Sequence, residues 1–87
     1  MRTKEWRLDM RLKDRTMLRQ FMGYKRMKIR ELALAAGVSR ATIGHLHSGA
    51  RRTVKPATAR AIEEALAAPP GLLFEPVASN VSREVAA

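Results

Sequence analysis

The sequence predicts a mainly α-helical domain of four to five helices, with an N-terminal β-strand that can pair with the C-terminal tail. From residue 14 onward, apolar residues recur every three or four positions, which places them on one side of a helix. Before residue 14, apolar and polar residues alternate, as they do in a half-buried strand. The chain has 87 residues, enough for one small core. We therefore expect a strand extension at 1–13, a helical domain at 14–74 and a tail at 75–87.

The N-terminal strand is predicted over about residues 5–13. Its alternating apolar residues are Trp6, Leu8, Met10 and Leu12, and the positions between them hold Arg7, Asp9 and Arg11. A single strand of this kind is not stable alone and needs a partner. The tail can supply one, either within the chain or from a second copy. Its valines fit a helix as well as a strand, and they are Val77, Val81 and Val85.

The first two helices are bounded by residues that favour helix ends. Asp14 is suited to cap a first helix that runs to about Lys25. A second helix begins near Ile29 and ends at Gly37, since glycine readily adopts the left-handed conformation just past a helix. The residues expected to face the core are Met17, Leu18, Phe21, Met22, Ile29, Leu32, Ala33 and Ala36.

Two further helices follow. Ser39 can cap the third helix and Gly49 can end it. Pro56 suits the first turn of the fourth helix, where its missing N–H would be unpaired anyway. We expect this helix to continue until Pro69, Pro70 and Gly71 stop it. The inward residues are predicted to be Ile43, Leu46, Ala61, Ile62, Ala65 and Leu66, after which Leu72, Leu73 and Phe74 return apolar bulk to the core.

The charge of the chain favours a polyanionic partner. The formal net charge is +9, from 17 Lys and Arg against 8 Asp and Glu. No acidic residue lies between Glu31 and Glu63, a stretch that holds Arg40, Arg51, Arg52, Lys55 and Arg60. Such a field attracts nucleic acid or an anionic membrane surface, and charge alone does not choose between them.

Residues 29–49 fit a helix-turn-helix, in which two short helices cross steeply through a tight turn. Ala33 is small where the helices cross closest, and Gly37 lies in the turn. The apolar residues Val38, Ile43 and Leu46 face the core. Each match alone is weak, but together they predict the motif.

The chain from Asp14 to Phe74 resembles the lambda repressor and Cro superfamily, often called the XRE family. The resemblance is carried by Glu31-Leu32-Ala33, Gly37-Val38-Ser39, Pro56, Ile62, Leu66 and Leu73-Phe74. It implies a lambda-repressor-like bundle and a regulator of transcription that binds operator DNA, such as a repressor, a phage Cro-like protein or an antitoxin. Lys28 departs from the family, which usually has Ser or Thr as the N-cap of helix two.

If residues 39–48 form the recognition helix, its outward side should meet the major groove. The candidate base-reading residues are Arg40, Ala41, Gly44, His45 and Ser48. Arg40 can donate two hydrogen bonds to guanine, and Gly44 permits close approach of the backbone. The candidate contacts to the DNA backbone are Lys28, Arg30, Ser39, Thr42, Arg51, Arg52 and Lys55.

Other classes of function are less well supported. No nucleophile, paired carboxylates or phosphate loop suggests an enzyme, a small-molecule substrate or a cofactor. His45 and His47 lie two apart and point to different helix faces, which argues against a metal site. The absence of cysteine and of a long apolar run favours a cytoplasmic location, in a bacterial or phage-infected cell and close to the nucleoid, without membrane association.

Three questions stay open at this point. An RNA-binding protein is disfavoured because the aromatic residues look structural, namely Trp6, Phe21, Tyr24 and Phe74. A protein that uses the same fold to bind a protein partner, through the strand and tail, is the main alternative. A homodimer is expected if the operator has two half-sites, whereas an intramolecular hairpin that caps the core would leave a monomer.

Overall fold

The computed structural model describes the backbone of residues 2–84 and the side chains of residues 7–78. Its elements are β1 (Arg2–Leu12), α1 (Arg15–Tyr24), α2 (Ile29–Ala36), α3 (Arg40–Ser48), β2 (Thr53–Val54), α4 (Pro56–Ala65) and β3 (Phe74–Glu84). The three strands form one antiparallel sheet in the order β2-β1-β3. The prediction of a mainly helical domain with strands is confirmed. No helix in the described part of the chain has the length and apolar character of a membrane span.

A single core lies between the helices and the end of the sheet. Its fully buried large side chains come from every helix, from the segment after α4 and from the start of β3, and they are Leu18, Leu32, Ile43, Leu46, Ile62, Leu66, Leu73 and Phe74. All of these residues belong to the predicted inward stripes or to the apolar segment after α4. The core therefore follows the helical spacing of the sequence, and it fixes which side of each helix remains outside.

The helix starts follow the predicted caps. Asp14 Oδ1 accepts a hydrogen bond from the Thr16 N–H at 2.8 Å, and Ser39 Oγ accepts one from the Thr42 N–H at 3.1 Å. Lys28 precedes α2 without a side-chain cap, because an ammonium group cannot accept a hydrogen bond. Glu31 compensates in part, since its Oε1 accepts from the Lys28 N–H at 3.1 Å.

Helix α4 ends at Ala65, so the prediction that it continues to Pro69 is wrong. Ala67 adopts a left-handed conformation, with φ of 54°. Its N–H donates to the Glu64 carbonyl at 3.0 Å, and the Ala68 N–H donates to the Glu63 carbonyl at 2.9 Å. These two bonds form the motif that commonly closes helices, here with alanine where glycine is usual. The helix therefore ends before the prolines are reached.

The side chain of Glu63 holds the segment that follows α4. It is 6 % exposed, and its Oε2 accepts hydrogen bonds from the N–H groups of Gly71, Leu73 and Phe74 at 3.1, 3.0 and 3.4 Å. A buried carboxylate is tolerated where backbone donors satisfy it in this way. Glu63 thereby directs the chain from α4 into β3.

Strands β1 and β3 pair within the chain, from Arg2 opposite Glu84 to Leu12 opposite Phe74. We call this pair the terminal ribbon. Compared with the predicted strand at 5–13, β1 starts earlier and ends one residue sooner. The tail forms a strand through Glu84. Val85 and the side chains of Trp6 and Val81 lie outside the described residues.

Burial along the terminal ribbon decreases away from the core. Leu12 is 3 % exposed and Met10 is half-buried, but Leu8 is 55 % exposed, so its predicted burial is wrong. On the other face Asp9 is buried, 3.4 Å from the Arg7 guanidinium, although its place in the polar alternation predicts exposure. The ribbon therefore covers the core only at its base.

Candidate nucleic-acid interface

Helices α2 and α3 are joined by the tight turn that the motif requires. Gly37 takes the left-handed conformation, with φ of 70°. The Val38 N–H donates to the Ala33 carbonyl at 3.0 Å, which closes α2 at once. Ala33 is 3 % exposed, in keeping with its predicted place at the crossing of the two helices. The turn leaves Ser39 free to cap α3, and so sets where this helix begins.

The outward side of α3 carries all five candidate base-reading residues. Ile43 and Leu46 are fully buried and fix the inward side of the helix. At 3.6 residues per turn, the five candidates span about 140° on the opposite side. Four are exposed and one is half-buried: Arg40, Ala41, His45 and Ser48 are exposed, and Gly44 is half-buried. The structure therefore brings these residues together on one surface.

Gly44 lies at the middle of this surface with open space in front of it. A Cβ atom added to Gly44 would meet no other atom within 4 Å. Its backbone is helical, so no left-handed conformation requires glycine at this position. Packing within the described part of the chain therefore gives no reason for glycine here.

Four of the candidate DNA-backbone residues surround a cavity of about 280 Å³, which we call the α3 cavity. It lies between the start of α3 and the start of α4, and these four are Ser39, Thr42, Arg51 and Lys55. The hydroxyls of Ser39 and Thr42 are 2.8 Å apart, so one donates to the other. The accepting hydroxyl keeps its own hydrogen for an external acceptor.

A second cavity, of about 290 Å³, lies at the opposite end of α3, and we call it the α1 cavity. It is lined by Leu12, Lys13, Asp14, Arg15, Leu46, Gly49, Arg51 and Arg52. Of the predicted backbone contacts, Arg51 and Arg52 line it. Lys28 and Arg30 line neither cavity and lie exposed at the start of α2. The predicted backbone contacts thus fall into three places on the surface: the α3 cavity, the α1 cavity and the start of α2.

Two arginines of α1, which no sequence pattern singles out, hold the end of α3. Arg19 donates from Nε and Nη2 to the His47 carbonyl at 3.2 and 2.8 Å, and Arg15 donates from Nη1 to the Ser48 carbonyl. The last carbonyls of a helix have no partner within it, and the negative end of its dipole favours cations. Arg15 and Arg19 are four residues apart on one side of α1. That spacing is visible in the sequence, but the helix end they reach is not.

Positively charged side chains also lie at the base of the terminal ribbon. Arg11 donates to Glu75 Oε1 from Nε at 3.0 Å and from Nη2 at 2.7 Å. This hydrogen bonding lowers the pKa of Glu75, and the charges of Lys13 and Arg52 lower it further. Lys13 and Arg52 therefore lie close enough to an exposed carboxylate to stabilise its charge.

The aromatic residues do not all have the structural role expected of them. Phe74 is buried and Phe21 is half-buried, as predicted. Tyr24 is 82 % exposed at the end of α1, where its ring makes an edge-to-face contact with Phe21, so the prediction is wrong for Tyr24. The side chain of Trp6 lies outside the described residues.

Comparison with known proteins identifies the α2–α3 unit and its surroundings. The sequence model of the helix-turn-helix family matches residues 18–73, which include all four helices from Leu18 onward. No curated protein and no solved structure matches the chain. The match covers more than half of the sequence, and it includes seven of the eight fully buried large side chains named above. The chain therefore belongs to the XRE family of helix-turn-helix proteins, the DNA-binding transcription regulators that resemble the lambda repressor and Cro.

Proposed function

We propose that this protein is a sequence-specific regulator of transcription, of the repressor or Cro type, that reads double-stranded operator DNA with α3 in the major groove. The observation that carries the proposal is the outward side of α3. It is exposed, it is opposite the buried Ile43 and Leu46, and it lacks acidic residues. A helix of this size fits the major groove of B-form DNA.

Arg40 is the principal base-reading residue in this proposal. It is exposed in the first turn of α3, and a guanidinium can donate two hydrogen bonds to O6 and N7 of guanine. Ala41 is placed to contact a thymine methyl, and Gly44 lets the backbone approach the bases. His45 and Ser48, one turn further along, read or support the neighbouring base pairs.

The remaining candidates contact the phosphates and fix the register of α3. Lys28 and Arg30 approach one strand from the start of α2. In the α3 cavity, a phosphate is bound by the hydroxyls of Ser39 and Thr42 and by the charges of Arg51 and Lys55. Contacts of this kind strengthen binding to any sequence and release counterions.

The substitutions Arg40→Ala and Arg52→Ala test this division of roles on a duplex selected from a random pool. Arg40→Ala is expected to cost about 1–3 kcal/mol on the selected duplex and little on random DNA, because a base contact is lost. Arg52→Ala is expected to weaken binding to both duplexes and to reduce the salt slope by about one unit. Fluorescence anisotropy titrations at several salt concentrations measure both quantities.

The contrast between the two substitutions is the control. An equal loss on both duplexes for Arg40→Ala would assign Arg40 to a phosphate instead of a base. An unchanged salt slope for Arg52→Ala would remove Arg52 from the phosphate contacts.

A further inference from the structure

Arg51 lies between the two cavities and lines both of them. It follows α3 in the segment that leads to β2. Its Nε donates to the Thr53 carbonyl at 2.7 Å, which orients the guanidinium along this segment. A guanidinium has five N–H donors in a planar fork, so this bond leaves others able to point in two directions.

The charged side chains that line the α1 cavity are mainly positive. Lys13, Arg15, Arg51 and Arg52 line it, with Asp14 as its only acidic residue. The Asp14 carboxylate is engaged in capping α1, and Arg15 is oriented by its bond to the Ser48 carbonyl. Ser48 is also the last of the candidate base-reading residues, so the cavity adjoins the DNA-reading surface of α3.

The electrostatics of this region agree with an anion site. Lys13 is exposed, and the pKa of the neighbouring Glu75 carboxylate is lowered by its hydrogen bond from Arg11 and further by the charges of Lys13 and Arg52. The Lys13 backbone is fixed by a hydrogen bond from its N–H to the Leu73 carbonyl at 2.8 Å. The Lys13 side chain therefore starts from a backbone position that is tied to the segment before β3.

We propose that the α1 cavity binds a backbone phosphate of the DNA strand whose neighbouring phosphate occupies the α3 cavity, with Arg51 between the two. Lys13 and Arg15 are then phosphate ligands that lie outside the helix-turn-helix itself. Phosphates recur at regular intervals along a strand, and Arg51 lines both cationic cavities, so one guanidinium can reach phosphates held on either side of it. The inference rests on the proposed function and names which part of the DNA each cavity takes.

The first experiment removes the charge of Lys13. Lys13→Gln should lower the magnitude of the salt slope by about 0.9, on the selected duplex and on random DNA alike. When the salt is raised from 50 to 200 mM, the affinity of the wild type and that of Lys13→Gln both fall. The factor by which the affinity falls should be about three to four times smaller for Lys13→Gln than for the wild type. Arg60→Gln is the matched control, because Arg60 is exposed on α4 and lines neither cavity. It should leave the slope nearly unchanged.

The second experiment locates the phosphate. A set of selected duplexes, each with one uncharged methylphosphonate linkage, is titrated with the wild type, Lys13→Gln and Lys55→Gln. One methylphosphonate linkage should weaken DNA binding by the wild type but have no effect on DNA binding by Lys13→Gln. That linkage marks the phosphate in the α1 cavity. We expect it to be adjacent, on the same strand, to the linkage that becomes silent in Lys55→Gln.

The outcomes separate this inference from the proposed function. If Lys13→Gln gives the wild-type slope and linkage profile, the α1 cavity does not contact DNA and the inference is wrong, while the proposed function stands. The inference is equally wrong if inorganic phosphate binds the wild type but not Lys13→Gln and the DNA profile is unchanged. If the wild type binds no duplex, the proposed function itself fails. Lys13→Met, which keeps the aliphatic stem, replaces Lys13→Gln should the latter melt at a lower temperature.

Discussion

At the scale of single residues, Gly44 gives the sharpest test of how α3 is oriented. Gly44→Leu should fold at least as stably as the wild type, because glycine costs a helix interior about 1 kcal/mol relative to alanine and a Cβ meets open space here. It should lose specific binding, since the added side chain would stand between α3 and the bases. Thermal melting and titration of the selected duplex measure the two effects.

Gly44→Ala serves as the graded control for this prediction. It gains a similar helix propensity with only one added carbon. It should therefore melt at a higher temperature than the wild type, and it should lose less affinity for DNA than Gly44→Leu does. If Gly44→Leu instead unfolds the domain, Gly44 is a packing residue and the outward side of α3 is wrongly assigned.

Residues that act on their own neighbours could be predicted from the sequence. Asp14, Ser39, Gly37 and Gly49 all cap or close helices as expected, because each needs only the backbone within a few residues. Glu63 could not be recognised in this way. Its partners lie eight to eleven residues further on, in a segment whose path depends on the packed core.

At the scale of elements, the end of α4 offers a prediction about stability. Ala67 holds a left-handed conformation, which costs an L-residue with a Cβ about 1–2 kcal/mol. Ala67→Gly removes that cost, but it also adds about 0.4–1 kcal/mol of conformational entropy to the unfolded chain, so the net gain in stability is between about 0 and 1.6 kcal/mol. Urea unfolding at constant pH measures the change.

Ala57→Gly is the control of opposite sign. Ala57 is exposed in the first turn of α4 and has helical geometry, so glycine there should lower the stability. If both substitutions destabilise to the same extent, the left-handed closure of α4 at Ala67 is not the conformation in solution.

The limits of sequence patterns at this scale are visible in α4 and in the terminal ribbon. Pro69 and Pro70 forbid a helix at their own positions, but the helix ends earlier, because the N–H groups of Ala67 and Ala68 close it. Alanine is a strong helix former, so the sequence gives no sign that a helix ends there. Alternation identified β1, yet its length and register depend on β3. Leu8 shows the consequence, since the alternation predicts burial at a position that the core does not reach.

At the scale of the whole molecule, the terminal ribbon gives the protein an elongated shape of 51 × 21 × 19 Å. It presents the exposed Leu8 and, on β3, an edge that pairs with no other strand in residues 2–84. Open edges and exposed apolar residues favour association. We predict that the ribbon joins two copies, so that two α3 helices reach half-sites about 34 Å apart.

Sedimentation of the protein with a selected duplex tests this assembly. The wild type should bind as two copies per duplex, and Leu8→Lys should bind as one copy with lower affinity. Tyr24→Lys is the matched control, because Tyr24 is also a large exposed hydrophobic residue but lies away from the ribbon, at the end of α1. A wild type that binds as one copy per operator contradicts the dimer, and the ribbon then serves only to cap the core.

The residues on the outward side of α3 could be predicted from the sequence, but the contacts between distant segments that hold α3 in place could not. Periodicity places Ile43 and Leu46 inside, and the remaining positions follow from helix geometry. The bonds from Arg15 and Arg19 to the end of α3, and the convergence of Lys13 with Arg52, join segments more than 25 residues apart. Such contacts are set by how the helices pack, which no local pattern specifies.

The central claim is that this protein distinguishes one DNA sequence from others through α3. Its most direct test is a competition titration of the wild type with three probes: a duplex selected from a random pool, the same duplex scrambled, and an RNA duplex of the selected sequence. We predict that the selected DNA binds at least about a thousandfold more tightly than the scrambled DNA at physiological salt, and more tightly than the RNA. Equal affinity for the two DNA duplexes, or tighter binding to the RNA, would contradict the claim.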